Sequence, residues 1–388
     1  MIRFALALLL AVSSFSIQSQ NAIPAPPELA AKAYFLVDAN SGAVLVEHNA
    51  DVQLAPASLT KMMTAYVLAE EIKAGRVKED DMVKITENSY SQNPLFNGSS
   101  LLWIEPGVDV SIADLQRGII ISSGNDSSVA VAEHIAGTEA VFAEMMNTNA
   151  KRLGMTNTHY VNSHGLPDPT HLTTARDLAI LAKAMINDHP EQYKIYKELE
   201  FTFNNIRQYN RNTLLREDPS VDGLKTGHTA EAGYCLVASA QRDGMRLISV
   251  VMGTDSTKAR KNDTAALFNY GFHFYQTRTV FEPNTELAKP RVWKGQQDLV
   301  PVGVLELAAL TLPRGKHDNL ETTVALNDEI VAPLAVGDAV GTVTVSLDGE
   351  TKLEVPAVAL EAVEEAGFFA RVWDTILMFI AKLFGASQ

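Results

Sequence analysis

The segment LAPASLTKMMTAY, residues 54–66, places Ser58 three residues before Lys61 at the start of an apolar run that follows Pro56. The run predicts a helix that extends to Lys73 and is buried on most sides. Residues i and i+3 share a helix face, so the lysine can reach the serine hydroxyl. Lys61 is either a solvated helix charge or the base that makes Ser58 a nucleophile. The scarcity of polar positions around it weakens the first of these interpretations.

The segments on either side of this helix predict strands. Residues 33–38 (AYFLVD) and 43–49 (AVLVEHN) flank the turn ANSG, and residues 233–241 and 245–253 form a second alternating pair across RDG. Each pair predicts an antiparallel hairpin. Residues 76–210 are mostly helix and loop by their periodicity. Strands at both ends and helices between them predict an α+β domain whose sheet draws on both ends of the sequence.

The character of the chain changes after residue 282. Residues 283–360 contain short β-like runs separated by Gly, Pro and Asp turns, which predicts a small all-β sandwich. Residues 361–388 predict an amphipathic helix with aromatic and aliphatic residues on one side. We expect residues 368–384 to lie in the plane of a membrane surface, the alternative being a terminal helix docked on the protein itself.

The N-terminus and the charge indicate the compartment and exclude one class of partner. Residues 1–22 have Arg3, an apolar run too short to span a bilayer, and then small and polar residues. This is typical of a secretory signal peptide, with a retained anchor as the alternative. The formal net charge of −14 argues against a nucleic-acid partner. The single cysteine, Cys235, excludes an internal disulfide and fits a small buried side chain.

Two further short motifs carry residue types suited to the chemistry of an activated serine. Ser123-Gly124-Asn125 lies between two helical runs, where it is either a plain turn or a loop that presents a serine and an amide. Lys225-Thr226-Gly227 lies at a strand start, where it is either an exposed strand end or a carboxylate-binding wall. Glycine there allows close backbone approach, and the following N–H can serve as an oxyanion donor.

The three motifs together, in this order and context, are the set found in penicillin-binding proteins and serine β-lactamases, with Ser-Gly-Asn as the second motif. The whole mature chain closely resembles the D-alanyl-D-alanine carboxypeptidases of the type-5 low-molecular-weight penicillin-binding proteins. The resemblance implies a transpeptidase-like D,D-peptidase domain over residues 23–282, followed by the β domain and the C-terminal helix. It also implies a serine peptidase that removes the terminal D-alanine of peptidoglycan stem peptides, is acylated by β-lactams, and acts in cell-wall remodelling and cell shape at the periplasmic face of the inner membrane.

The resemblance also implies roles for individual residues. Ser58 is the acylated nucleophile, Lys61 its base, and Ser123 a proton relay. The remaining residues that it assigns to the cleft are Asn125, His164, Arg211, Lys225, Thr226, Gly227, His228 and Arg260. The backbone N–H groups of Ser58 and His228 would form the oxyanion hole, and Arg260 would help to hold the terminal carboxylate of the substrate. Lys225 is a candidate for the second cation that lowers the pKa of Lys61.

Other classes of protein fit the sequence less well. A zinc peptidase needs clustered ligands, and the nine histidines include neither His-x-His nor His-Glu-x-x-His, so we expect no metal and no cofactor. An α/β-hydrolase needs Gly-x-Ser-x-Gly, which is absent from the sequence. A serine β-lactamase needs its own deacylating base, which no motif identifies. A non-catalytic wall-binding scaffold would be expected to have lost Ser58 or Lys61.

Overall fold

The computed structural model describes residues 23–383, so the predicted signal peptide and Phe384 lie outside the described residues. In the N-terminal domain the strands are β1 (Ala33–Asp38), β2 (Val44–His48), β3 (Met82–Lys84), β4 (Asp109–Ser111), β5 (Glu200–Phe203), β6 (Ile206–Tyr209), β7 (Val221–Thr229), β8 (Gly233–Arg242) and β9 (Met245–Thr254). The main sheet has the order β2-β1-β9-β8-β7, with every neighbouring pair antiparallel. Both predicted hairpins, β1–β2 and β8–β9, are confirmed, and the sheet combines both ends of the domain as expected.

The main sheet is covered on both faces. Phe35, Val237 and Val250 point into the core shared with the central helices, whereas Leu36 and Leu247 point toward the other face. Because side chains alternate along a strand, two buried faces require strands that are apolar at nearly every position. This explains the near-continuous apolar runs of β8 and β9.

Helices cover the two faces unequally. The helices are α1 (Lys61–Lys73), α2 (Ile112–Arg117), α3 (Asn125–Ala136), α4 (Glu139–Leu153), α5 (Ala175–Asp188), α6 (Pro190–Tyr193), α7 (Leu214–Glu217), α8 (Thr257–Phe274) and α9 (Phe368–Leu383). Helices α1, α3, α4 and α5 pack in the larger core, and α8 covers the opposite face. Helix α1 is buried on most sides, as its sequence predicted. The short antiparallel pair β3–β4 and the small hairpin β5–β6 within the helical region were not predicted.

The second domain is all β. Its strands are β10 (Tyr275–Phe281), β11 (Thr285–Ala288), β12 (Val302–Val304), β13 (Ala308–Pro313), β14 (Leu320–Leu326), β15 (Ala339–Leu347) and β16 (Glu350–Ala359). A five-stranded sheet in the order β11-β12-β16-β15-β14 shares one core with the β10–β13 pair. Strand β10 follows α8 without a linker. It therefore lies before residue 283, where the sequence predicted the β domain to begin, and it pairs with β13 of that domain.

A buried hydrogen-bond network joins the two domains. The carboxylate of Asp38, at the end of β1, is fully buried and accepts a hydrogen bond from Thr277 Oγ1 on β10 at 2.7 Å. Its other oxygen accepts from the Ser41 backbone N–H and hydroxyl at 2.7 and 2.9 Å. Thr311 on β13 closes the network, 2.6 Å from the Ser41 hydroxyl and 2.7 Å from the Thr277 hydroxyl.

Helix α9 contacts the β domain through polar groups and presents its apolar face to solvent. The Asp374 carboxylate accepts a hydrogen bond from the Lys294 N–H and lies 3.5 Å from the Arg291 guanidinium. Phe369 and Trp373 are 86% and 61% exposed. Within residues 23–383, no helix combines the length and the apolar character needed to cross a membrane.

Candidate active site

Ser58 and Lys61 are brought together by the start of α1. Ser58 lies in the 3₁₀ turn Ala57–Thr60, which precedes α1 directly, and Lys61 is the first residue of the α-helix. The Lys61 Nζ is 3.2 Å from the Ser58 Oγ. It also donates hydrogen bonds of 2.6 Å to Asn125 Oδ1 and to the backbone carbonyl of His164. The lysine therefore points inward, with its amine fixed beside the serine hydroxyl.

The surroundings of Lys61 disfavour its charged form. The side chain is 1% exposed, and burial lowers its pKa from 10.5 to about 7, with the positive charge of Arg211 as the next cause. The negative charges of Asp126 and Glu139 act in the opposite direction. Arg211 is thus a cation that acts on this pKa, a role for which the sequence suggested Lys225. Near neutral pH a large fraction of the Lys61 amine is free to accept a proton.

Ser123 is held by a tight turn and by Lys225. A π-helical turn, Gly118–Ser122, ends at Ser123, whose φ of 62° is left-handed, and α3 begins at Asn125. The Lys225 Nζ donates to the Ser123 Oγ at 2.8 Å and to the Thr226 carbonyl at 3.0 Å. The second and third sequence motifs therefore meet directly.

Lys225 is itself in an environment that disfavours a charge. It is 2% exposed, and burial followed by the positive charges of Lys61 and Arg211 lowers its pKa well below the ordinary value. Two lysines thus share one buried cationic site, with Ser123 beside Lys225 and Ser58 beside Lys61. Burial and mutual repulsion favour the neutral forms of these lysines, and a ligand with a negative group would stabilise a positive charge on either of them.

Gly227 permits the close approach of β7 to the serine turn. A Cβ at this position would lie 3.0 Å from the Pro56 carbonyl oxygen and 3.3 Å from the Leu59 nitrogen. Because backbone atoms cannot yield as a flexible side chain can, a larger residue would push β7 away from Ser58. The glycine sets the width of the cleft between strand and helix, as the sequence predicted.

The residues that the family resemblance assigns to the rim of the cleft differ in how deeply they are buried. Arg260, near the start of α8, is 8% exposed and donates to the carbonyls of Gly227 and Cys235 at 3.2 and 3.4 Å. His228 is exposed. His164 is buried, and burial together with the charge of Lys61 lowers its pKa to about 3, so that its imidazole is neutral at physiological pH.

These side chains surround one cavity of about 590 Å³. It is lined by nine of the residues inferred from the sequence: Ser58, Ser123, Asn125, His164, Arg211, Thr226, Gly227, His228 and Arg260. Lys61 and Lys225 lie behind this lining and reach it through their hydrogen bonds to Ser58 and Ser123. Among residues 23–383, no acidic side chain lines the cavity, although the chain has a formal net charge of −14. The cavity therefore suits a ligand with a negative group.

Comparison with known proteins identifies the family. The family model described as D-alanyl-D-alanine carboxypeptidase matches residues 20–256, and that of the penicillin-binding protein 5 C-terminal domain matches residues 275–365. The chain belongs to the D-alanyl-D-alanine carboxypeptidase family. It is 46% identical to D-alanyl-D-alanine carboxypeptidase DacC of Escherichia coli over 363 residues, which are 93% of this chain and 91% of the relative.

Solved structures agree with this family and with its fold. Penicillin-binding protein 5 of Haemophilus influenzae superposes with a TM-score of 0.85 at 42% identity, covering 88% of this chain and all of that chain (100%). Penicillin-binding protein D2 of Listeria monocytogenes, solved in a cefotaxime-bound form, gives 0.59 at 30% identity over 64% of this chain and 100% of that chain. The predicted α+β transpeptidase domain followed by a β domain is confirmed.

The carboxypeptidase cleft also depends on residues that the sequence analysis did not single out. The buried carboxylate of Asp126 accepts hydrogen bonds from consecutive backbone N–H groups of Leu102 and Trp103, at 2.9 Å each, and one from Ser127. It thereby ties the loop that precedes β4 to the turn carrying Ser123. An acidic residue directly after Ser-Gly-Asn was the available signal, but nothing in the sequence shows that it is buried.

Two asparagines hold the loop that carries Arg211 through hydrogen bonds to backbone carbonyls. Asn210 donates to the Tyr196 carbonyl at 3.2 Å, and Asn212 donates to the Gly223 carbonyl on β7 at 2.9 Å. Both are buried, and they flank Arg211 on either side. The Asn-Arg-Asn pattern was visible in the sequence, yet its role depends on carbonyls distant along the chain. Within residues 23–383, no cluster of three or more His, Cys, Asp or Glu side chains suitable for a metal ion occurs.

Proposed function

We propose that this chain is a serine-type D-Ala-D-Ala carboxypeptidase that removes the terminal D-alanine of peptidoglycan stem pentapeptides. The observation that carries the proposal is the Lys61 Nζ, 3.2 Å from the Ser58 Oγ, with a pKa lowered to about 7. A serine hydroxyl needs such a base to become a nucleophile. The relatives named D-alanyl-D-alanine carboxypeptidases support the substrate class.

In the first step, the Ser58 Oγ attacks the carbonyl between the two D-alanines while its proton passes to the neutral Lys61 amine. The negative charge that develops on the carbonyl oxygen is stabilised by the backbone N–H groups of Ser58 and His228. The C–N bond then breaks, and the leaving amine takes a proton from Lys61 through the Ser123 hydroxyl. The result is free D-alanine and an ester between Ser58 and the shortened peptide.

In the second step, water attacks the Ser58 ester, and Lys61 again takes the proton. The C–O bond breaks, the proton returns to the Ser58 oxygen, and the tetrapeptide leaves with a new carboxylate. Arg260 and Thr226 hold the carboxylate of the substrate before cleavage, in a cavity that no acidic side chain of the described part of the chain lines. A β-lactam follows the same first step and leaves an acyl-enzyme on Ser58.

The helix α9 supports attachment to a membrane surface. Its exposed face carries Phe368, Phe369, Trp373, Phe379 and Leu383, all of them at least 61% exposed. Aromatic side chains on one face of a helix that lacks the length of a span suit the bilayer interface. We place the enzyme, after removal of residues 1–22, at the periplasmic face of the inner membrane, where it would trim peptidoglycan in wall remodelling and influence cell shape.

The test of the proposed function measures D-alanine released from a pentapeptide ending in D-Ala-D-Ala, with and without penicillin. We expect release that penicillin abolishes. The Ser58→Ala variant should lose both D-alanine release and covalent labelling by a fluorescent penicillin, while it unfolds at a similar temperature. Labelling that persists in this variant would contradict the assignment of the nucleophile.

A further inference from the structure

Arg260 is an unneutralised cation at the end of the cleft formed by β7, β8 and α8. Its guanidinium donates to two backbone carbonyls, and it forms no ion pair within the part of the chain that the structure describes. The next residue, Lys261, also lines the cavity but is neutralised by both carboxylate oxygens of Glu217, each at 2.9 Å. Of two adjacent cations at the cleft, therefore, only Arg260 keeps its charge available to a ligand.

The ring of Tyr234 contacts two groups at this end of the cleft. Tyr234 on β8 is the register partner of His228 on β7, and the two rings stack with their centroids 3.9 Å apart and an interplanar angle of 27°. The Arg260 Cζ lies 5.7 Å from the centroid of the same tyrosine ring. The backbone of Tyr234 is fixed in turn, because its carbonyl accepts a hydrogen bond from Thr254 Oγ1 at 3.0 Å.

We propose that Tyr234 is a positioning residue that sets the preference of this cleft for peptides ending in a free carboxylate. Its ring holds the Arg260 guanidinium toward the cavity and keeps the His228 imidazole against the strand. The inference rests on the proposed function, since it takes Arg260 as a ligand of the substrate carboxylate.

An aromatic ring suits this task better than a carboxylate would. The face of a tyrosine ring attracts a guanidinium but carries no net charge, so it orients the cation without neutralising it. A carboxylate in the same place would pair with Arg260, as Glu217 pairs with Lys261, and would leave little attraction for the substrate. Tyr234 therefore restrains the Arg260 guanidinium and leaves its positive charge available to the substrate.

The ring also limits where the His228 side chain can lie. His228 is exposed and lines the cavity. Stacking against Tyr234 keeps the two rings nearly parallel across adjacent strands. Both contacts involve the ring, so phenylalanine should preserve them, and Tyr234→Phe is the matched control for Tyr234→Leu.

The experiment compares two substrates that differ only at the C-terminus: one peptide ending in D-Ala-D-Ala with a free carboxylate, and the same peptide as its C-terminal amide. For Tyr234→Leu we expect kcat/KM on the free acid to fall about tenfold, mainly through KM. On the amide the fall should be less than about twofold, because the lost restraint acts on the carboxylate. Tyr234→Phe should keep the acid-to-amide ratio of the unmodified protein.

A second comparison tests whether the effect passes through Arg260. In an Arg260→Gln background, Tyr234→Leu should change the acid-to-amide ratio no further. An equal loss on both substrates, or an unchanged loss in the Arg260→Gln background, would show a merely structural role and overturn the proposal. Failure of the proposed function is distinguishable, because the unmodified protein would then release no D-alanine and resist labelling by fluorescent penicillin, and the role of Tyr234 would fall with it.

Discussion

Replacing Asn125 with aspartate should move the pH dependence of the enzyme. The Asn125 Oδ1 accepts a 2.6 Å hydrogen bond from the Lys61 Nζ, so the isosteric Asn125→Asp change places a carboxylate in direct contact with the proposed base. An opposite charge at this distance raises a lysine pKa by roughly 1–3 units. From a pKa of about 7, the neutral fraction at pH 7 would fall from about one half to between roughly one in ten and one in a thousand.

The assay is the second-order rate constant of acylation by a fluorescent penicillin, measured from pH 5 to pH 10. The unmodified enzyme should lose activity as the pH falls through about 7, because protonation removes the free base of Lys61. Asn125→Asp should be about 5- to 500-fold slower at pH 7 and recover at higher pH. The neutral control, Asn125→Ala, should be slower without an upward shift of the midpoint. An equal loss at every pH in Asn125→Asp would refute the reasoning.

Three further changes test other parts of the structure. Arg211→Gln removes the charge that lowers the pKa of Lys61, so the acid limb of acylation should move to higher pH and the rate at pH 6 should fall about three- to tenfold, whereas Arg211→Lys should leave the midpoint in place. Gly227→Ala places a Cβ 3.0 Å from the Pro56 carbonyl oxygen and should lower both the acylation rate and the melting temperature, measured on the same preparation. Trp373→Asp should reduce cosedimentation with lipid vesicles about tenfold while D-alanine release from a soluble peptide stays unchanged.

The local patterns of the sequence predicted those parts of the fold that depend on nearby residues. The β8–β9 hairpin follows from alternation across a Gly-containing turn, and α1 follows from its apolar run after Pro56. Helix α9 follows from its three- and four-residue spacing. The β3–β4 pair and the β5–β6 hairpin were not predicted, because strands of three or four residues carry too little periodicity to distinguish them from loop.

The sequence predicted which residues form the site, but not how they pair or which charges act on the pKa of Lys61. Ser58 and Lys61 are three residues apart, so their proximity follows from helix geometry alone. The pairing of Lys225 with Ser123 joins residues 102 positions apart, and only the folded sheet brings them together. The contribution of Arg211 to the lowered pKa of Lys61 depends on the placement of its loop, which no local pattern encodes.

The junction between the domains has a consequence for how the chain can be divided. Asp38 belongs to the catalytic sheet, but one of its buried oxygens is satisfied by Thr277, and the network is completed by Thr311 in the β domain. A peptidase trimmed at the end of α8 would retain the acidic side chain and lose both threonines. Water would have to take their place at a surface formed to be dry. The hydrogen-bond network at the domain boundary thus belongs to both domains. Truncation there would expose the buried Asp38 carboxylate, and with it one edge of the catalytic sheet, to solvent.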